Sequence, residues 1–345
     1  MELLEVVSAG LFTTIQDLGR FGSQRYGVPT SGAMDGFALR AANRLVGNAD
    51  ELAGLEITMG GVQLRASAPV VFAITGADLE PRLNDRPVPM WQGLVMRGGD
   101  TLDIDGAADG VRAYLAVRGG IDVPLVLGSR STYTKSKLGG IDGRVLRRGD
   151  RLHGGPAASV EQARLGLLPA ALVPHYGTRH DIRVVLGPQD DRFTPEGIHT
   201  FLSSTYRVSL KSDRTGCRLE GPRIAHVAGP DIVSDGSPPG AVQVAGDGMP
   251  IVLLADRGTA GGYTKIATVI TADLMHLAQA GQNDEVAFRP VTVDEARAAL
   301  FELEQVLDAI VVMAETGKAR RSARAVAAAA AAVAATIYDD TSPGS

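Results

Sequence analysis

The sequence is almost free of cysteine, since Cys217 is the only one among 345 residues. A single thiol excludes an intramolecular disulfide and a thiolate metal cluster. The six histidines show no spacing of the HExxH kind, so we expect no metal site. Such sparing use of cysteine is typical of proteins in the reducing cytoplasm, which is the location that we expect.

Positive charge and long apolar runs are also scarce. The formal net charge is −5, and no stretch combines basic and aromatic residues as nucleic-acid-binding surfaces do. The first residues lack the cationic region and the apolar core of a signal peptide. The one long apolar run, residues 325–337, is mostly alanine and is shorter than a membrane span. We therefore expect neither a nucleic acid nor a membrane as a partner.

Aromatic residues make up only 5% of the chain, whereas glycine is abundant with 42 residues. Many glycines between short apolar runs indicate short strands joined by tight turns. The apolar runs predict buried strands at 69–76, 113–117, 182–186, 250–255 and 286–288. Helical spacing predicts helices at 35–46, with Asp35 as the N-cap, at 271–280 and at 294–313. The chain is therefore predicted to be mainly β with a few helices.

A change in composition divides the chain into two strand-rich halves. Glycine, proline and alanine are concentrated between His153 and Asp181, which is typical of a connector. We predict domains at 1–155 and 181–315, a connector at 156–180, and an alanine-rich helix with a disordered tail at 316–345. The segments 127–132 and 210–215 resemble each other, which favours duplication of one β-barrel unit.

Three polar segments that contain glycine are candidates for a functional site. The first is residues 13–35, where Gln16, Asp17, Arg20 and Asp35 are the polar groups of interest. Glycine-rich loops let backbone amides approach an anion or a carbonyl group closely. The alternative interpretation is a turn that contains an internal pair between Asp17 and Arg20.

The second segment, residues 128–140, is rich in hydroxyl groups and cations. It contains Ser129, Arg130, Ser131, Thr132 and Lys135. Groups of these kinds suit a phosphate, a carboxylate or an oxyanion. The segment is not a P-loop, because the glycine spacing that precedes Lys-Ser/Thr in that motif is absent. The alternative interpretation is a solvated polar loop.

The third segment follows the most strongly apolar of the predicted strands and runs from Asp256 to Lys265. The positions of interest in and before it are Gln243, Asp256, Arg257, Thr259, Gly261, Gly262, Tyr263 and Lys265. Lysine can transfer protons or hold a carboxylate, and Asp256 would orient Arg257. The alternative interpretation is a β-hairpin with an ion pair.

Six short motifs in these regions resemble those of one known family. They are TTIQDLGR at 13–20, SGAMD at 31–35, ANRLVGN at 42–48, GSRST at 128–132, SDRTG at 212–216 and TAGGY at 259–263. The family is that of the biotin-dependent carboxyltransferases, also called the allophanate hydrolase subunit 2 family. It includes the C subunit of 5-oxoprolinase, the carboxyltransferase part of urea carboxylase, and the Kip-type antagonist of a sporulation kinase inhibitor.

The resemblance implies a cyclophilin-like β-barrel architecture in two related subdomains. It also implies a heterodimer, single or doubled, with the B subunit, which is a smaller Kip-inhibitor-like chain. In the 5-oxoprolinase version, a lamB-type A subunit completes an ATP-dependent ring opening of 5-oxoproline to glutamate, so ATP would be a co-substrate of the complex. The carrier motif Ala-Met-Lys-Met is absent from this sequence, so any biotin would arrive on a separate protein.

We expect the three segments to form one cleft, in which Asp256, Arg257 and Lys265 are the catalytic residues. Arg257 or Lys265 would hold a substrate carboxylate. The expected substrate-binding residues are Gln16, Asp17, Arg20, Asp35, Ser129, Arg130, Ser131, Thr132, Lys135, Arg214, Gln243, Thr259, Gly261, Gly262 and Tyr263. The sequence departs from the family pattern at Gly258, which is usually Gln, and at Ala260, which is usually Thr.

Three functions are open at this point. The first is the C subunit of an ATP-dependent 5-oxoprolinase, which hydrolyses a lactam. The second is the carboxyltransferase component of a biotin-dependent system related to urea carboxylase and urea amidolyase, which acts on a urea-like acceptor. The third is a non-enzymatic Kip-type regulator that binds a smaller partner chain.

Overall fold

The computed structural model describes residues 1–155, 163 and 165–313. The strands of the first half are β1 (Glu2–Ala9), β2 (Phe12–Gln16), β3 (Gly54–Thr58), β4 (Val62–Ala66), β5 (Val70–Asp78), β6 (Arg82–Leu83), β7 (Arg86–Pro87), β8 (Gly93–Met96), β9 (Thr101–Ile104), β10 (Asp109–Val117) and β11 (Arg151–His153). The later strands are β12 (Leu165–Leu167), β13 (Arg179–Leu186), β14 (Thr205–Val208), β15 (Gly216–Glu220), β16 (Asp231–Gly236), β17 (Ala241–Val244), β18 (Pro250–Leu253), β19 (Ala260–Tyr263), β20 (Lys265–Val269), β21 (Glu285–Pro290) and β22 (Val311–Met313). The α-helices are α1 (Gly36–Leu45), α2 (Pro195–Ser203), α3 (Leu274–Gln279) and α4 (Val293–Asp308).

The first half is a sandwich of two sheets. One sheet has the strand order β11-β1-β4-β9-β6-β7, and the other has the order β2-β3-β10-β5-β8. Leu64 and Leu102 from the first sheet pack in one core with Phe72 and Leu115 from the second. Side chains alternate between the two faces of a strand, so each sheet contributes every second residue to this core.

The second half closes into a barrel with the strand order β13-β20-β17-β18-β15-β14-β21. Strands β13 and β21 pair in parallel, and the other barrel pairs are antiparallel. Val184, Val242, Val252 and Ile266 fill the interior. The predicted mainly β fold with a barrel is confirmed. The two halves differ, however. The two sheets described before residue 156 are open, because their edge strands do not pair with each other, whereas the second half is a closed barrel.

The first predicted helix is confirmed as α1, and its start has a clear cause. The Asp35 carboxylate accepts a hydrogen bond from the Ala38 amide at 2.9 Å, as an N-cap does. Ala38, Leu39 and Leu45 lie on the buried face of the helix. The helix therefore packs against the sheet that contains β5 and β10, and it faces the second half with its first turn.

Two other helix predictions need correction. The segment 271–280 begins as a 3-10 turn, Thr271–Asp273, before α3. The helix predicted at 294–313 ends at Asp308, and residues 311–313 form strand β22 instead. That strand pairs with β12, which lies in the predicted connector. Pairing with this distant strand satisfies the backbone hydrogen bonds of residues 311–313, and the local sequence pattern does not reveal such a partner.

The two halves pack closely together. Met275 of α3 lies in one apolar cluster with Phe37, Trp91 and Tyr114 of the first half. The predicted alanine-rich helix and tail at 316–345 lie outside the described residues, as does most of 156–164. The division into domains therefore stays a prediction. No helix in the described ranges is long and apolar enough to cross a membrane.

The single thiol provides a test of the barrel. Cys217 lies in the barrel core with 2% of its surface exposed, and burial raises the pKa of its thiol to about 12. We expect a thiol-specific reagent to modify less than about 0.1 thiol per chain in the native protein and about one thiol per chain in denaturant. Rapid modification of the native chain at neutral pH would contradict the buried placement.

Candidate functional site

Six of the predicted binding residues form a buried clamp between residues 16–20 and 129–132. The Asp17 carboxylate accepts hydrogen bonds from the Ser129 hydroxyl at 2.7 Å and from the Arg130 amide at 2.6 Å. The Arg20 side chain is fully buried, and it donates to the carbonyl oxygens of Val126 at 3.0 Å and Ser131 at 2.7 Å. These groups hold the loop in place, and they lie in the interior.

Gln16 and Thr132, two more of the six buried clamp residues, behave in the same way, whereas the Arg130 side chain lies outside the clamp. Gln16 donates to the Thr132 carbonyl at 3.1 Å, and the Thr132 hydroxyl donates to the Ile15 carbonyl at 3.0 Å. Arg130 is partly exposed and pairs with Asp122 at 3.2 Å. Asp17 and Arg20 bind partners in the second loop, so the internal Asp17–Arg20 pair considered from the sequence is replaced by contacts to residues more than 100 positions away.

A second group of predicted residues joins the two halves. The Arg214 guanidinium donates to the Asp256 carboxylate at 2.9 Å, to the Gly32 carbonyl at 2.6 Å and to the Glu56 carboxylate. Glu56 also accepts from the Tyr114 hydroxyl at 2.8 Å. Exposure is 0% for Glu56, 7% for Arg214 and 5% for Asp256, so these charges compensate one another inside the protein.

Asp35 continues this network on the other side of Tyr114. Its carboxylate accepts from the Gln279 amide at 2.9 Å and from the Tyr176 hydroxyl at 3.2 Å, in addition to the α1 amide. Burial raises the pKa of Asp35 to about 6, against the opposing effect of these hydrogen bonds. Asp35 therefore joins α1 to α3 and has no exposed surface for a substrate.

The predicted orientation of Arg257 by Asp256 is wrong. Asp256 is bound by Arg214 and by the Ser31 hydroxyl. Arg257 turns the other way and donates to the Ser237 carbonyl at 2.7 Å and to the Thr30 hydroxyl at 3.1 Å. The side chains of Asp256 and Arg257 point in different directions from this turn, so the two residues do not form an ion pair although they are adjacent in sequence.

Four of the remaining predicted residues, Lys135, Gln243, Gly261 and Tyr263, line a cavity of about 310 Å³ on the outer face of the barrel. Strands β16 and β19 pair into a two-stranded ribbon that covers this face, with Asp235 opposite Gly261. Gln243 points outward under the ribbon, since Val242 and Val244 on either side of it point into the barrel core. We call this space the ribbon cavity; among its lining residues are Lys135, Lys211, Arg218, Ser237, Gln243, Gly261 and Tyr263.

Three buried polar atoms at the ribbon have no hydrogen-bond partner among the described residues: Ser237 Oγ, Gln243 Nε2 and Lys265 Nζ. The three residues are 7%, 7% and 1% exposed. Lys265 Nζ lies 3.4 Å from Asp235, which is an ion-pair distance without hydrogen-bond geometry. Buried donors without acceptors are destabilising, so an acceptor from outside the chain, either a water molecule or a ligand, would stabilise these groups.

Gly261 leaves room for the side chains of Gln243 and Ser237 at the cavity. A Cβ atom at this position would clash with Gln243 Nε2 and lie 3.1 Å from Ser237 Oγ. Lys135, Lys211 and Arg218 add positive charge around the cavity, and Lys135 pairs with Asp213 at 3.2 Å. The donors and the surrounding cations suit a small anion or a molecule with carbonyl and carboxylate oxygens.

The three predicted segments therefore do not form one cleft. The ribbon cavity brings Lys135, Gln243, Gly261 and Tyr263 together, while Thr259, Gly262 and Lys265 belong to or adjoin the ribbon. Residues of the 13–35 segment instead line a separate cavity with Arg257. Sequence reasoning missed Glu56, although a glutamate in the otherwise apolar strand β3 could have revealed it. It also missed five other buried polar residues: Ser31, Tyr114, Tyr176, Ser237 and Gln279.

Comparison with known proteins defines the family. Residues 26–290 match the family described as carboxyltransferase domain, subdomain A and B. This match spans most of the 345 residues, and the chain belongs to the carboxyltransferase domain family. The family resemblance indicated by the six motifs is thus confirmed.

The relatives fall into two groups. The chain is 40% identical to the C subunit of 5-oxoprolinase from Escherichia coli (strain K12) over 299 residues, which cover 86% of this chain and 94% of that protein. It is 36% identical to urea amidolyase of Lachancea kluyveri over 338 residues, which cover 91% of this chain but 18% of that protein. The solved urea carboxylase of Kluyveromyces lactis matches with a TM-score of 0.82 at 32% identity, over 89% of this chain and 29% of that one.

Replacing the central arginine tests the network. Arg214→Met is expected to lower the free energy of unfolding by about 3–5 kcal/mol, because Glu56 and Asp256 would stay buried without their counter-charge. Urea denaturation followed by the fluorescence of Trp91 measures this, since Trp91 is the single tryptophan and is buried.

Lys135→Met is the matched control for that experiment. The Lys135–Asp213 pair also joins the two halves, but its side chains are 54% and 53% exposed. Its loss is expected to cost less than about 1 kcal/mol. Equal effects of the two substitutions would contradict the role assigned to Arg214.

The raised pKa of Asp35 predicts a pH dependence of stability. The folded state binds this proton more tightly than the unfolded chain, whose Asp pKa is near 3.8. Stability contributed by Asp35 is therefore fully present below pH 3.8 and is lost as the pH rises through about 6. The loss is up to about 3 kcal/mol. Urea unfolding between pH 4 and pH 7 is expected to show this slope in the wild type and not in Asp35→Asn; identical slopes would refute it.

Proposed function

We propose that this chain is the C subunit of an ATP-dependent 5-oxoprolinase and that the ribbon cavity binds 5-oxoproline. The carrying observation is the pair of buried polar groups Ser237 Oγ and Gln243 Nε2 beside Gly261, which have no hydrogen-bond partner within the part of the chain that the structure describes. 5-Oxoproline is a small lactam with a carboxylate, so it offers acceptor oxygens at both ends. The match over 94% of a 5-oxoprolinase C subunit supports this substrate over the alternatives.

The chemistry assigns different tasks to different residues. ATP would supply the driving force by phosphorylating the lactam oxygen, with release of ADP. One water would then add to that carbon and the C–N bond would break, with the nitrogen leaving as the protonated amine and an acyl phosphate remaining. A second water would hydrolyse the acyl phosphate to give glutamate and free phosphate. In this chain, Gln243 Nε2 and Ser237 Oγ would bind the oxygen on which negative charge develops. The cations that line the ribbon cavity, Lys135, Lys211 and Arg218, would hold the substrate carboxylate. Lys265 does not line the cavity, and its buried ammonium pairs with Asp235 of the ribbon instead. Asp256 acts as a positioning residue, because its carboxylate is occupied by Arg214.

The complex that we propose contains two further chains. The smaller B subunit would form the heterodimer with this chain, and the lamB-type A subunit would complete the reaction in the cytoplasm. The described residues contain no P-loop of their own, and ATP is assigned to the complex rather than to the ribbon cavity.

Biotin-dependent carboxyl transfer is the second candidate. It is favoured by the TM-score of 0.82 to a urea carboxylase. The same donors fit the carbonyl and carboxylate oxygens of a carboxylated ureido ring, and the biotin would be carried by a separate protein. A urea-like acceptor would then take the place of the lactam.

Reconstitution distinguishes these functions. The full chain is combined with the purified A and B subunits, 5-oxoproline and ATP, and glutamate and ADP are measured. Gly261→Ala is expected to reduce glutamate formation at least about tenfold, because the added methyl group displaces Gln243 Nε2. Gly236→Ala is the control, since Gly236 lies on the other ribbon strand opposite Ala260 and its Cβ would have no neighbour within 4 Å.

Three outcomes would count against the proposal. Unchanged activity of the Gly261→Ala variant would show that the substrate does not bind in the ribbon cavity. Carboxylation of a urea-like acceptor with a biotin carrier, without glutamate formation, would favour the second candidate. A tight complex with the B subunit that turns over neither substrate would favour the Kip-type regulator.

A further inference from the structure

A second cavity of about 430 Å³ lies away from the ribbon. It is bounded by residues of the 18–40 segment, by residues 254–257 after β18, and by one face of α4. Most of its walls are apolar, and they include Leu18, Phe37, Met275, Leu300 and Leu303. We call it the α4 cavity. It shares no lining residue with the ribbon cavity.

Arg257 lies in the α4 cavity wall, which also contains the ion pair between Arg40 and Glu304. It is 7% exposed, and its hydrogen bonds go to the Ser237 carbonyl at 2.7 Å, the Thr30 hydroxyl at 3.1 Å and the Leu254 carbonyl at 3.3 Å. All three acceptors are uncharged. Within the described ranges no carboxylate lies within ion-pair distance of Arg257, and its Nη2 atom donates to no acceptor.

Two other buried or partly buried arginines have counter-charges, whereas Arg20, like Arg257, donates to backbone carbonyls and has no carboxylate at ion-pair distance among the described residues; unlike Arg257, Arg20 does not line the α4 cavity. Arg214 binds Glu56 and Asp256, and Arg183 binds Asp273 at 2.6 Å. The one carboxylate in the α4 cavity wall, among the described residues, is Glu304, which is held by Arg40 at 2.6 Å and so is not available to Arg257. Burial lowers the pKa of Arg257 with no opposing charge, yet a guanidinium stays protonated. A buried cation of this kind lacks an anion.

We propose that the α4 cavity is a second ligand site, which binds a small amphipathic carboxylate. The carboxylate would pair with Arg257 Nη2, and the apolar body would contact Leu18, Phe37 and Leu303. The apolar walls exclude inorganic phosphate and short hydrophilic acids as preferred ligands, because such ligands would leave this surface uncovered. The site is independent of the proposed function, since no residue of the ribbon cavity lines it.

The test is titration calorimetry of the full chain with 4-phenylbutyrate and with its uncharged analogue 4-phenylbutyramide. We expect the carboxylate to bind and the amide to bind roughly tenfold to a hundredfold more weakly, because the amide cannot form the ion pair. Arg257→Gln is expected to weaken carboxylate binding by a similar factor and to leave amide binding unchanged.

Two further variants keep the test decisive if Arg257→Gln is unstable. Leu303→Trp lies on the partly exposed face of α4 and would fill the cavity, so it is expected to abolish binding with Arg257 intact. Arg65→Gln removes an exposed arginine from a surface pair and is the control that should bind as the wild type does. Absence of binding up to about 10 mM, equal affinity for acid and amide, or wild-type binding by Leu303→Trp would each overturn the proposal. Displacement of 4-phenylbutyrate by 5-oxoproline at comparable concentration would also overturn it.

Discussion

The buried charge of Arg214 is the constraint on which the arrangement of the two halves depends. Its guanidinium lies between Glu56 of the sandwich and Asp256 of the barrel half, and it also binds the Gly32 carbonyl. Buried ion pairs gain little over apolar packing, since desolvation offsets the attraction, but separating the partners leaves charges uncompensated. Any packing of the halves that pulls these groups apart is therefore strongly disfavoured.

The fixed position of Asp256 also restrains the residues after it. Arg257 comes next in the chain, and the ribbon strand β19 begins three residues later at Ala260. Ser237 connects the two cavities, because its carbonyl accepts from Arg257 while its hydroxyl lies at the ribbon cavity. The two cavities lie on either side of the turn at residues 256–259. Each contains hydrogen-bond donors that have no acceptor within the described part of the chain. A rigid network around unpaired polar groups is the arrangement expected where ligands bind.

Local patterns predicted the most strongly apolar strands and the first helix, but not the partners of the polar residues. Strand β5 and helix α1, with Asp35 as N-cap, agree with apolar spacing and capping, which depend only on neighbouring residues. Lys135, Gln243 and Gly261 are candidates on residue type alone, and they meet at one cavity. Asp17 and Arg20 have the same polar character, yet their partners lie more than 100 residues away, and these partners bury them. Residue type alone does not distinguish a buried clamp from a binding loop.

The sequence by itself determined the class of fold, the positions of five strands and of helix α1, and the family, because these depend on periodicity and on short ordered motifs. Only the tertiary structure decided which polar groups are satisfied by the chain and which are left for a ligand. That decision depends on distances between residues far apart in sequence, such as Arg214 and Glu56, or Gln243 and Gly261. Burial then sets the consequence, since a donor without an acceptor costs little in water and much in the interior.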